Sequence, residues 1–135
     1  MNLMEAAIAA KLGGGGGGGG AVSSVNGQTG AVVLTASDVG AAPAETVVTV
    51  SGTTPTITPA ANTIYNCGEL TSLTISNPPA TGAYSIVFTS GATATTTTIP
   101  ATILGLEDFA AEANTLYEIN VLDNRAVVGS WAVSV

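Results

Sequence analysis

The sequence contains no histidine, only two basic residues, Lys11 and Arg125, and a single cysteine, Cys67. Without histidine it lacks the side chain that most often serves as a general base and as a metal ligand. A lone cysteine excludes an internal disulfide and any paired-cysteine redox or zinc motif, so we expect Cys67 to act as a small buried hydrophobe. The scarcity of basic residues argues against partners bound through phosphate, namely nucleic acid and anionic membrane surfaces.

Long hydrophobic runs are also missing. No apolar stretch approaches the roughly 20 residues of a membrane-spanning helix, so we expect no membrane partner. A secretory signal peptide carries cations before its apolar run, whereas Glu5 precedes the run here and Lys11 follows it. We therefore expect the protein to be made in a cytoplasm and to leave it by a route other than export.

What is present is mostly small and aliphatic. Of the 135 residues, 46% are hydrophobic but only 4% are aromatic and 8% charged, with a net charge of −7. Charged residues are far below the globular average of about 25%. This composition suits thin β layers, and it predicts that other subunits cover part of the surface. We expect a homo-oligomer.

The N-terminal region predicts an attachment device. Residues 1–12 are rich in helix formers and carry an apolar stripe formed by Leu3, Met4, Ile8 and Leu12. Such a short helix is marginal in water and needs a docking partner. Eight consecutive glycines follow, from Gly13 to Gly20. Residues 13–23 are either a flexible linker or an extended segment threaded through a narrow groove of a partner.

Residues 24–41 contain three local signals. Asn26-Gly27 favours a tight reversal of the chain, because both residues tolerate positive φ. Ala31 to Leu34 forms a β-branched run typical of a strand. Thr35 is placed to cap one helical turn with Asp38 in the capping-box position, and Gly40 ends that turn. We predict a hairpin and capped-turn connector.

The same residues carry a family resemblance. Ser24 to Ala41, with the sequence SVNGQTGAVVLTASDVGA, looks like a segment that recurs in head-fibre, tail-fibre and other appendage proteins of tailed bacteriophages and prophages. The resemblance implies a virion protein that attaches through one end and displays a distal domain. It also implies capsid or tail proteins as partners and, because such fibres and spikes are commonly trimeric, a homotrimer. The sequence alone also fits a dimer.

Residues 42–135 read as seven or eight short β-strands separated by turn signals. Such spacing predicts a mainly β domain, which we expect to be an antiparallel β-sandwich of the jelly-roll type. In Leu116 to Leu122 the even-numbered and odd-numbered residues should lie on opposite faces. Asp123-Asn124 then predicts a turn before the last strand.

An internal echo lies within this domain. Ala61-Asn62-Thr63-Ile64-Tyr65 recurs as Ala113-Asn114-Thr115-Leu116-Tyr117, so the two tyrosines should occupy similar environments. Residues 62–69 (NTIYNCGE) and 117–123 (YEINVLD) also resemble segments of phage tail-associated proteins.

No catalytic, cofactor-binding or metal-binding residues are predicted. The candidate catalytic carboxylates of a glycosidase would be Glu107, Asp108 and Glu112, or Glu69 with Glu118. We interpret them instead as solvated acidic residues on the surface. Tyr84 and Trp131 are candidates for the core or a subunit interface and, less favoured, for a glycan platform. We therefore expect a non-enzymatic virion structural protein. The alternative is a module that binds host surface glycans at a tail-fibre tip.

Overall fold

The structure is a computed structural model, and it describes residues 24, 27, 29, 31, 33–35 and 37–134. The chain divides into two units, Met1–Pro43 and Ala44–Val135, which are described separately here. The predicted helix over residues 1–12, with Leu3, Met4, Ile8 and Leu12, lies outside the described residues. So does the glycine segment from Gly13 to Gly20.

In the first unit, the predicted capped turn is confirmed. Ser37–Val39 forms a single turn of 3-10 helix, and Gly40 follows it with a φ of 65°. The Thr35 backbone N–H and hydroxyl both donate to Asp38 Oδ2, at 2.8 and 2.7 Å. These bonds, the backbone one first, lower the pKa of the Asp38 carboxyl. In the described part of the predicted strand from Ala31 to Leu34, no residue is in a strand, so that prediction is wrong there.

The second unit is mainly β, as predicted. Five strands form one sheet in the order β1-β3-β5-β7-β8, and three short strands form a second sheet in the order β2-β4-β6. The first sheet contains β1 (Thr46–Thr49), β3 (Thr63–Leu70), β5 (Ala83–Ser90), β7 (Thr115–Leu122) and β8 (Arg125–Ala132). The second contains β2 (Thr56–Ile57), β4 (Ser72–Ile75) and β6 (Thr96–Thr98). In the part of the chain that is described, no helix is long and apolar enough to span a membrane.

Strand direction differs from the prediction. β1, β3 and β5 pair in parallel, and so do β2, β4 and β6. The chain thus coils, giving one strand to each sheet per turn, before β7 and β8 add as antiparallel strands. The antiparallel prediction is wrong for the coil and right for the last two pairings, and the jelly-roll connectivity is not confirmed. Side chains alternate with a period of two in parallel and antiparallel strands alike, so the sequence pattern did not distinguish parallel from antiparallel pairing.

Both sheets contribute to one hydrophobic core. Strand alternation is clearest in β5, where Tyr84, Ile86, Phe88 and Ser90 are buried and the residues between them are half-buried or exposed. Leu73 and Ile75 of β4 join the same core from the smaller sheet. Cys67 is buried among these side chains, as predicted, and burial raises the pKa of its thiol to about 11.

A buried hydroxyl network closes the corner between β5 and β6. Thr95 Oγ1 donates to the Leu70 carbonyl at 2.7 Å and also lies 2.7 Å from Ser90 Oγ. The Thr95 backbone N–H donates to Ser90 Oγ at 3.2 Å. Because both side chains are buried, these bonds satisfy hydroxyl groups that would otherwise be costly to remove from water.

The internal echo is a structural repeat. Asn62 and Asn114 both adopt left-handed backbone angles, with φ of 56° and 52°. The Asn62 N–H donates to the Ala83 carbonyl where β5 begins, and the Asn114 N–H donates to the Gly91 carbonyl just after β5 ends. β3 and β7 therefore start from equivalent turns at opposite ends of β5. Tyr65 and Tyr117 are both buried, as the echo predicted.

Candidate interaction surface

The five-stranded sheet has a solvent-facing side that we call the outer face. In β7 the alternation predicted from the sequence is confirmed, with Tyr117, Ile119 and Val121 inside. Strand register assigns both apolar and polar residues to the outer face. The larger apolar ones are Val47, Ile64, Val87, Leu116, Leu122, Val127 and Trp131, and polar residues such as Asn66, Ser85, Thr89 and Asn120 lie between them. Val127 is 72% exposed and Leu122 is 59% exposed. An apolar surface on a continuous sheet is typical of an interaction site.

Trp131 is the largest side chain of the outer face. It is 53% exposed and lies opposite Leu116 of β7. Its indole passes over Gly129, where an added Cβ would come within 2.7 Å of the Trp131 ring. Gly129 therefore provides the space that lets the indole lie along the strand.

Tyr84, predicted for the core or a subunit interface and less favourably for a glycan platform, lies in the core. It is only 3% exposed, and burial, followed by the electrostatic effect of Tyr65, raises the pKa of its hydroxyl to about 12. The Tyr84 hydroxyl has no hydrogen-bond partner among the described residues. Tyr84 and Trp131 are thus not brought together, because Tyr84 shares the inward register of Ile86 and Phe88.

The outer face carries few charges. Arg125 is the one basic residue of the described chain, and its guanidinium forms no hydrogen bond or ion pair with the described residues, although its backbone pairs with Leu122. It borders a depression of about 260 Å³ that is also lined by Ser85, Asn120, Leu122 and Val127. Of these lining residues, Ser85 donates a hydrogen bond from Oγ to Asn120 Oδ1.

The acidic candidates are dispersed. The backbone N–H groups of Glu107 itself and of Gly105 lower the pKa of the Glu107 carboxyl, and Glu107 Oε2 accepts from Gly105 at 2.9 Å. A general acid needs the opposite shift. Glu118 accepts a bond from Asn120 Nδ2 at 3.1 Å on β7, and Glu69 lies on β3, with β5 between them. Within the described chain, no three side chains are grouped to hold a metal ion.

Sequence reasoning missed a second ordered surface. Thr56, Thr74 and Thr98 stand in register on the three parallel strands of the small sheet. Their signal was present in the sequence, as a Thr-Ile pair that recurs at 56–57, 74–75 and 98–99. The same pair also occurs at 63–64 in the large sheet and at 102–103 outside the strands, so the repeat alone did not single out the small sheet.

Comparisons of the chain with protein-family models, with curated proteins and with solved structures found no match.

Proposed function

We propose that this protein is a non-enzymatic structural component of a tailed-phage virion, as a short head fibre, a capsid decoration or a tail appendage. The observation that carries this proposal is the segment from Ser24 to Ala41, with its resemblance to virion appendage proteins. The N-terminal residues attach the protein to the particle, and the β domain projects from it. The protein is made in the bacterial host cytoplasm and resides in the virion.

The surface chemistry supports a role in assembly. The outer face exposes Val127, Leu122 and Trp131, and its charged side chains are Glu69, Glu118 and Arg125. A sheet face of this kind is stabilised when another apolar surface covers it. We propose homo-oligomerisation, for which the resemblance favours a trimer and the sequence alone also fits a dimer.

Binding to purified virus particles tests the attachment role. Full-length protein should co-sediment with particles that lack it, and a chain without residues 1–20 should not. A matched control replaces Thr56 and Thr98 with serine, which alters an exposed surface of the β domain and should leave binding intact. Equal binding by the truncated chain would contradict attachment through the N-terminus.

A second candidate function is recognition of a host surface glycan. The exposure of Trp131 favours it, because aromatic side chains provide flat contact surfaces for sugar rings. Binding to a glycan array that is lost in Trp131→Ala and kept in Tyr84→Phe would support this function. An array without any bound glycan would leave the structural role as the better account.

A further inference from the structure

The free edge of β8 is a second feature of the large sheet. The Ala126 N–H donates to the Leu104 carbonyl at 2.9 Å, away from β7, whereas the Val133 N–H donates to Asn114 on the β7 side. Backbone direction alternates along an antiparallel strand. Val128, Ser130 and Ala132 therefore present their N–H and C=O groups outward. These groups have no partner among the described residues.

Nothing in the sequence of this edge discourages pairing. Natural proteins protect edge strands with lysine, proline, bulges or very short strands. β8 is eight residues long, is paired with β7 without a register shift, and has no charged or proline residue after Arg125. By contrast, β1 at the opposite edge has only four residues and is preceded by Glu45 and Pro43.

We propose that the β8 edge pairs with the β8 edge of a second copy of this chain, antiparallel and across a two-fold axis at Ser130. In this register Ser130 faces the partner's Ser130, and Val128 faces the partner's Ala132. Each such pair exchanges two backbone hydrogen bonds, so all the free groups of Val128, Ser130 and Ala132 are satisfied. The paired segment ends before Ala126, whose outer side Leu104 already occupies.

Trp131 selects this register over its neighbours. With the axis at Ser130, Trp131 faces the partner's Gly129, over which the partner's own indole lies, so the two indoles lie alongside each other across the paired strands. Moving the axis one position toward Ala132 places the two indoles on opposite sides of the axis, each over its own Gly129, so this contact is reduced. Moving it one position toward Val128 places Ala126, already bonded to Leu104, opposite the partner's Ala132. Self-complementarity of one surface patch is the requirement of a two-fold dimer.

This inference deepens the proposed function, on whose homo-oligomeric state it rests, and it selects the dimer over the trimer. The pairing joins two five-stranded sheets into one and makes the two outer faces continuous. Mass measurement by light scattering on the full-length chain should give twice the 13.1 kDa of one chain. The mass of one chain or of three would overturn the two-fold pairing.

Charge substitutions at the axis test the register. Ser130→Lys places two like charges opposite each other, as does Ser130→Glu, so each variant alone should lose the dimer. Mixing the two variants should restore a mixed dimer, which misfolded chains would not form. Thr98→Lys and Thr98→Glu on the small sheet are the matched controls and should remain dimeric. Failure of the mixture to recover the dimer, with both variants folded by circular dichroism, would overturn the proposal.

Cross-linking gives an independent measurement. The Cα atoms of a hydrogen-bonded antiparallel pair lie about 5.5 Å apart, which is within disulfide range. Ser130→Cys should therefore give a covalent dimer under mild oxidation at least about tenfold faster than Thr98→Cys. Equal rates would overturn the pairing. Particle binding is measured separately and tests the proposed virion role. If Ser130→Glu keeps the mass of the parent protein but no longer binds particles, the β8 edge contacts the particle and the two-fold pairing is overturned.

Discussion

The hydroxyls of Tyr65 and Tyr117 each accept a hydrogen bond from the backbone N–H five residues earlier, Ala60 at 2.9 Å and Glu112 at 2.7 Å. In each case the ring reaches back from a strand to hold the turn before it, which resembles the tyrosine corners of other β domains. Tyr117 also contacts two rings, stacking on Phe88 and meeting Phe109 edge-on, each with centroids 5.3 Å apart.

Removing either hydroxyl should destabilise the domain. Tyr65→Phe and Tyr117→Phe each leave a partly buried N–H without its acceptor, so we expect each to lower the free energy of unfolding by about 1–2 kcal/mol. Tyr84→Phe is the matched control, because the Tyr84 hydroxyl is buried without a partner and its loss should be neutral or stabilising. Urea denaturation measures all three. A larger loss for Tyr84→Phe than for the other two would contradict this assignment.

The hydroxyl network at the β5–β6 corner should behave as a unit. Thr95→Val removes the donor to the Leu70 carbonyl and a partner of Ser90, and we expect a loss of about 1–3 kcal/mol. Thr98→Val changes an exposed hydroxyl and should stay within about 0.5 kcal/mol of the parent. Combined with Ser90→Ala, Thr95→Val should cost less than the sum of the single changes. Additive losses would mean that the two hydroxyls act independently.

Two glycines with positive φ differ in the space around them. Gly82 has a φ of 98°, and an added Cβ would lie 2.7 Å from the Ala61 Cβ, whereas Gly52 has a φ of 88° and no atom within 4 Å of that position. Alanine at Gly52 should cost about 1 kcal/mol from backbone strain alone. At Gly82 the steric clash should add about 1–3 kcal/mol. Thermal and urea denaturation measure the free energy of unfolding of the two variants. Equal losses of this free energy would show that the close approach of Ala61 does not matter.

Alkaline conditions should weaken the fold through Cys67. Burial raises the pKa of this thiol to about 11, from an ordinary value of 9.0, so the unfolded chain releases its proton first as the pH rises. The contribution of the buried thiol to the stability of the fold is complete below pH 9 and is lost as the pH approaches 11. Denaturant midpoints should fall over this range more steeply in the parent than in Cys67→Ala. If the denaturant midpoints of the two proteins fell equally with rising pH, the loss of stability would not come from Cys67.

The features that the sequence predicted correctly depend on neighbours along the chain. The Thr35–Asp38 turn and the turn at Asp123 and Asn124, with φ of 48° and 59°, each involve residues within a few positions. Short-range sterics and hydrogen bonds decide such conformations, so local residue types suffice to predict them. Burial of Cys67 and the alternation of β7 followed from polarity in the same way.

By itself, the sequence determined that the domain is mainly β, where the turns at Thr35–Asp38 and Asp123-Asn124 lie, and which residues of β7 face the core. Only the tertiary structure decided that β1, β3 and β5 run in parallel, that Tyr84 is buried, and that β8 lies at an open edge. Strand direction and edge position depend on which distant strand supplies the hydrogen-bond partner. Alternating apolar residues satisfy a core equally well in either direction, because the side-chain period of a strand is two in both.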